Sequence, residues 1–242
     1  MNCNSKLIGY GFSSVRGKSH IDSKLPNQDA VMVKQTKSGF VLAVADGVGS
    51  QRYSQIGSRS AVAAVRDAFI DFERGVIPVS NITSTIFEKY RDGIPKEARE
   101  QASTTCAFAY LLGDSELYLG QVGDGVCYFK INDFFSKLSD KEDDFANLVR
   151  PLNASKTDVK WKTRHFNIRA GDAVKLFLAT DGVSTDIVPN REEICLDYYC
   201  HMLARWPKFL RNTRIKWCLR RWGVPGSNDD KTMIVFWKGS GL

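Results

Sequence analysis

No stretch of the 242-residue sequence stays apolar long enough to cross a bilayer. Runs such as residues 40–45 stop far short of the roughly 20 residues a spanning helix needs. The first residues, MNCNSKLIGYGF, lack the apolar core of a secretory signal, so the expected location is cytoplasmic, with no membrane partner. Cysteine occurs six times, at positions 3, 106, 127, 195, 200 and 218, but never as CxxC. That argues against zinc knuckles and thioredoxin-type redox pairs and points to reduced, core-packed thiols. Only three histidines are present, His20, His165 and His201, and none has metal-ligand spacing with another. A GxxxxGKS/T loop, a GxGxxG after a strand and a GxSxG elbow are all missing, which removes the common nucleotide-binding and serine-hydrolase signatures. Long charged blocks, low-complexity tracts and internal repeats are missing too, so neither wholesale disorder nor a solenoid fits.

What is present is the material of a folded core. Apolar residues make up 43% and aromatics 11%. A chain of this length can bury roughly two-thirds or more of its extended surface without a disulfide or zinc staple. One domain over residues 1–242 is the simplest division. The formal net charge is +7, and its excess is local. Between Tyr198 and Asn228 lie Arg205, Lys208, Arg211, Arg214, Lys216, Arg220 and Arg221, with no acid. Such a basic helical segment, at about 198–228, can attract phosphates, acidic proteins, nucleic acid or anionic lipid, or can simply be a solvated helix face.

Periodicity gives a coarse order of elements. Residues 6–15, 28–35 and 40–45 read as strands, the last two joined at Ser38-Gly39, and 17–26 as a polar loop. Val65, Ala68, Phe69 and Phe72 fall on one helical face, predicting a helix over 54–73, with a second over 82–91. Residues 104–112 and 117–122 flank Gly113-Asp114-Ser115 and read as a hairpin, followed by a strand at 126–131. A short acidic helix is expected at 140–148, then a strand pair, 161–168 and 173–180, around Ala170-Gly171-Asp172. Leu196, Tyr199, Cys200 and Leu203 again have helical spacing, interrupted by Pro207, and 232–237 closes the order as a strand. Grouped strands with paired helices between them predict an α+β class, with antiparallel sheets covered by helices.

The acids carry the chemical signal. Asp46-Gly47, Asp124-Gly125 and Asp181-Gly182 each follow an apolar strand; Asp229-Asp230 precedes the last strand, and Asp29 opens the second. One Asp-Gly is an ordinary turn. Five carboxylates at strand ends can converge at one sheet edge, where they repel unless a cation sits among them. An all-oxygen set favours Mg²⁺ or Mn²⁺.

Gln28-Asp29-Ala30, Val44-Ala45-Asp46-Gly47-Val48-Gly49, Ala102-Ser103-Thr104-Thr105, Val122-Gly123-Asp124-Gly125, Ala179-Thr180-Asp181-Gly182 and Gly226-Ser227-Asn228-Asp229-Asp230-Lys231-Thr232 occur in that order. Together they resemble the metal-dependent serine/threonine phosphatases of the protein phosphatase 2C family, in a bacterial-type variant. The resemblance implies a four-layer α/β/β/α sandwich with a metal centre at one end. It implies that Asp46 bridges two Mn²⁺ or Mg²⁺ ions, that the Gly47 carbonyl, Asp181 and Asp229 complete their protein ligands, that Asp29 holds a water, and that Asp124 can take a third, looser ion. The sequence departs from the family pattern at Gln28, where an acid is common, at Val48, where eukaryotic members carry a histidine, and at Asp230, where asparagine is frequent. No residue of the 17–26 segment matches the family's phosphate-binding arginine one for one; Arg16, Lys18, His20 and Lys24 are candidates, with Arg16 and His20 foremost.

The activity implied is hydrolysis of phosphoserine or phosphothreonine in proteins by an activated water, on a phosphoprotein substrate that the basic segment would favour if acidic. Gln28 and the unassigned arginine keep open a catalytically weak phosphoprotein-binding domain. The basic segment, with Trp206, Phe209, Trp217 and Trp222 among its charges, keeps open a less favoured nucleic-acid binder.

Overall fold

The structure is a computed structural model, and it describes residues 8–138, 151–156 and 159–239. The elements in order are β1 (Ile8–Val15), α1 (Lys18–Asp22), β2 (Asp29–Gln35), β3 (Gly39–Asp46), α2 (Ser54–Glu73), α3 (Ile82–Asp92), β4 (Cys106–Leu112), β5 (Glu116–Val122), β6 (Val126–Ile131), β7 (Phe134–Lys137), β8 (Lys162–Asn167), β9 (Val174–Ala179), α4 (Asp181–Ser184), α5 (Glu192–Ala204), α6 (Arg211–Arg220) and β10 (Lys231–Lys238). One five-stranded sheet has the order β1-β10-β9-β6-β7 and the other β2-β3-β4-β5-β8. Every pairing is antiparallel.

Side-chain alternation explains the stacking. In β3, Phe40, Leu42 and Val44 face the other sheet, while Val41, Ala43 and Ala45 face α2 and α3. In β10, Ile234 and Phe236 face inward, while Met233, Val235 and Trp237 face α5 and α6. Strands buried on both faces therefore read as continuous apolar runs, and the result is the expected α/β/β/α order. The 20-residue α2 lays Ala61, Val65, Ala68 and Phe69 on its sheet, with Phe69 stacked on Tyr110 at 4.4 Å. Each such large side chain removed from water contributes about 1.5–3 kcal/mol. Among the described residues no helix is long and apolar enough to cross a membrane.

The structure corrects several expectations. β8 and β9 do not pair with each other. β8 is an edge strand beside β5, with Gly120 opposite Thr163, whereas β9 lies between β10 and β6 in the other sheet. The turn at Ala170-Gly171-Asp172 is thus a crossover between sheets. β8 alternates exposed and half-buried positions as an edge does, while β9 is buried along its whole length. Residues 17–26 contain α1, too short at five residues to show a period. β7 was not anticipated. The acidic helix expected at 140–148 lies outside the described residues. Beyond Pro207 the basic segment forms a separate helix, α6, against β1, where Asn212 Oδ1 accepts from Phe12 N at 3.0 Å.

Candidate active site

Both sheets send carboxylates to one end of the sandwich. Asp29 and Asp46 are register partners at the open ends of β2 and β3. Asp124 lies in the β5–β6 turn, Asp181 begins α4 straight after β9, and Asp229 stands just before β10. A cleft of about 1150 Å³ is lined by Asp46, Gly47, Asp124, Asp181 and Asp229, with His20 at its side. Asp29 is buried near Asp46, with 6% exposure.

Local bonding fixes these groups. The Asp46 carbonyl accepts from Thr104 Oγ1 and from Thr105 N, both at 2.7 Å, and Asp46 N donates to Thr105 Oγ1 at 3.1 Å. That leaves the Asp46 carboxylate for the cleft. A side chain at Gly47 would bring its Cβ within 2.5 Å of the Ser54 carbonyl oxygen at the start of α2. A side chain at Gly182 would overlap the Asp230 carbonyl. The glycines therefore follow the aspartates because the cleft wall admits no Cβ there.

Asp29 Oδ2 accepts from Thr180 Oγ1 at 2.9 Å, and the same Thr180 oxygen accepts from Thr232 N at 3.2 Å, so one hydroxyl joins the two sheets. Asp230 serves a different purpose from Asp229. Its carboxylate accepts from Gly17 N at 2.7 Å and Gln28 N at 2.6 Å, clamping the 17–28 segment to the end of β10. His20 Nδ1 also lies 2.8 Å from Asp230 Oδ2, at ion-pair distance but misaligned for a hydrogen bond. Arg16 does not reach this cleft. Its guanidinium donates to the Leu25 carbonyl at 3.2 Å and lines a neighbouring groove.

The electrostatics are those of crowded anions. Burial pushes the Asp46 carboxyl far up, and the charges of Asp29 and Asp181 push it further. Burial raises Asp29 as well, with Asp230 adding to it against the hydrogen bonds of Thr232 and Thr180. Asp124 is raised by burial and then by Asp181 and Asp229. Asp29 Oδ1, Asp181 Oδ1 and Gln28 Oε1 are buried without a hydrogen-bond partner. Unpaired buried oxygens beside mutually repelling carboxylates fit a cation. Among the described residues no three His, Cys, Asp or Glu side chains close into a ready-made cage. An ion here would need waters or main-chain carbonyls to complete its coordination, which hard cations such as Mg²⁺ accept.

A sequence profile of protein phosphatase 2C matches residues 16–222. The chain belongs to the protein phosphatase 2C family. Solved structures with the same fold include the catalytic domain of the serine/threonine protein phosphatase PstP, in complex with two manganese ions, with a TM-score of 0.63 at 20% identity over 98% of this chain and 100% of that one. Stp1 from Staphylococcus aureus, a serine/threonine phosphatase, has a TM-score of 0.62 at 16% identity over 95% and 94%. RsbX, in complex with magnesium, has a TM-score of 0.61 at 15% identity over 98% of both chains. At such identities the likeness speaks for the fold. No curated protein matches the chain in sequence.

In this protein phosphatase 2C chain, sequence reasoning missed the roles of three contributors. Gln121, 1% exposed, donates from Nε2 to the Gly125 carbonyl at 2.5 Å and to that of Gly123 at 3.3 Å, pinning the turn that carries Asp124. Thr180 anchors Asp29 across the sheets, and Asp230 acts as a main-chain clamp. A buried glutamine within an apolar strand is the one hint that was visible, since such a group needs partners.

Proposed function

We propose that this chain hydrolyses phosphoserine and phosphothreonine in proteins with two Mn²⁺ or Mg²⁺ ions at the carboxylate cleft. The observation that carries the proposal is the meeting of Asp46, Asp124, Asp181 and Asp229 in one cleft, with buried Asp29 beside Asp46 and carboxylate oxygens left unpaired. Asp46, the Gly47 carbonyl, Asp181 and Asp229 would hold such ions, and Asp124 would be available to a further one. Bound ions of this kind lower the pKa of a water and neutralise phosphate charge.

The chain's own groups orient the reaction. Asp29, fixed through Oδ2 by Thr180, keeps Oδ1 free to accept from a water. His20, held beside Asp230 at the cleft edge, is placed to donate a ring N–H to a phosphate oxygen. Attack on phosphorus in line with the serine or threonine oxygen then rests on positioning and charge, with no covalent enzyme intermediate. Cys106, Cys127 and Cys200 are buried, and burial raises their thiols to about 12, which leaves them unsuited as nucleophiles.

The test is turnover of p-nitrophenyl phosphate with Mn²⁺ and with EDTA, followed by phosphoserine, phosphothreonine and phosphotyrosine peptides. Hydrolysis that EDTA abolishes reversibly, with the first two peptides preferred, is expected. Activity that survives EDTA, or that thiol alkylation removes without unfolding, would overturn the mechanism.

A further inference from the structure

Beside the cleft runs a second groove of about 570 Å³, between α1 and α6. Lys216 and Arg220 stand four residues apart on one face of α6, and Arg16 and Lys18 line the groove from the β1–α1 side. All four are exposed. Among the described residues none of the four is ion-paired with an acid. The remaining cations of the segment are mostly spent on packing. Arg211 lies 4.8 Å from the Trp237 ring and donates to the Leu203 and Trp206 carbonyls. Arg214 and Arg221 lie 4.5 and 4.6 Å from the Trp217 ring, and Lys208 lies over Tyr10. Two of the tryptophans that could stack on bases, Trp206 and Trp217, are thus engaged by Arg214, and Trp217 by Arg221 as well.

The groove and the cleft share a wall. Ser227 and Asp229 line both. Lys231 Nζ stiffens that wall by donating to the Ser227 and Asp229 carbonyls, each at 2.9 Å. Trp222, on the groove side, donates from Nε1 at 2.7 Å to Asp186, which lines the cleft. A polypeptide whose phosphorylated side chain enters the cleft can therefore lay its neighbouring residues across one wall onto four cations. We propose that this groove binds an acidic stretch flanking the phosphoresidue of the substrate and so sets a preference for acidic phosphoproteins. The inference rests on the phosphatase reading of the cleft.

Exposed ion pairs are individually weak and salt-sensitive, and two of them together change affinity by about three- to ten-fold. The test compares wild type with the Lys216→Ala/Arg220→Ala variant on phosphoserine peptides flanked by Glu or by Ala, and on p-nitrophenyl phosphate. Expected is a loss of about three- to ten-fold in kcat/KM on the Glu-flanked peptide alone, shrinking as salt rises. Equal losses on all three substrates, or none, overturn the proposal.

Fluorescence anisotropy of a labelled Glu-flanked peptide decides the matter without catalysis. If the wild type hydrolyses nothing, the phosphatase reading fails. Weaker binding by the variant still supports the groove, and unchanged binding refutes it. Binding of phosphatidylserine vesicles or single-stranded DNA through the same two residues, with no peptide preference, would also refute it.

Discussion

Asp46 is held in place by its main chain, through Thr104 and Thr105, and its carboxylate takes no part in that support. Asp46→Asn should therefore keep the fold and lower kcat at saturating Mn²⁺ by at least about a hundredfold, the scale of losing one preorganised charge. Because burial and repulsion raise Asp46, the neutral amide should also increase the melting temperature of the metal-free protein, as calorimetry would show. Thr180→Val removes the hydroxyl from Asp29 while keeping the shape. We expect it to raise the Mn²⁺ concentration needed for half-maximal activity by about tenfold, as loss of a ligand-orienting partner does. An unchanged metal requirement would remove Thr180 from the site. At this scale the sequence was legible where chemistry and sterics coincide. Asp-Gly after an apolar strand is readable because the wall behind Gly47 and Gly182 has no room for a Cβ. The Thr180 contact was not, since its partners Asp29 and Thr232 come from other segments, and the Gln121 contact was not, since a side chain bonding to nearby turn carbonyls leaves no spacing signal.

The strands and long helices were legible because burial on both faces leaves continuous apolar runs, and one-sided burial leaves a helical stripe. Their neighbours were less so. β8 and β9, close in sequence around a turn, belong to opposite sheets because β8 can be an edge and β9 cannot. Charge counting alone does not separate the cations of α6: Arg211 and Arg214 are held against rings, while Lys216 and Arg220 line the groove. The α5 helix is fastened to its sheet by Asp197, which receives Lys175 at 2.7 Å and Lys130 at 3.0 Å. Burial pushes the Asp197 carboxyl up, but the two ammonium groups together hold it below the usual carboxylate range. It thus contributes stability above the unfolded value of 3.8 that is lost as pH falls through the folded one. Asp197→Asn should cost about 1–3 kcal/mol, or roughly 3–8 °C in melting temperature, with kcat on p-nitrophenyl phosphate unchanged. A fall in kcat without a fall in stability would contradict this division of labour.

Across the whole molecule the five acids come from both sheets, so the site exists only while the sheets are stacked. In the metal-free protein, Asp29, Asp46 and Asp124 are all raised, and the folded chain holds protons that the unfolded chain releases above about 4. Their stabilising contribution is complete below that value and is lost as pH rises through the folded ones. Metal-free melting temperature should therefore fall between pH 5 and 8, and the gain on adding Mn²⁺ should grow over the same window, because binding expels protons. Calorimetric titrations in buffers of different ionisation enthalpy would read that release; the same Mn²⁺ gain at pH 5.5 and pH 8 would contradict it. The hydroxyl of Thr180, spanning from β9 to Asp29, adds one more consequence. The acidic rim behaves as lacing drawn across an apolar seam, and lacing can be undone without parting the cloth. Amide deuterium uptake at Gly17, Gln28 and Thr105, whose N–H groups end on rim acceptors, should slow sharply when Mn²⁺ is added. Uptake at Leu42 and Phe236, deep between the sheets, should hardly change.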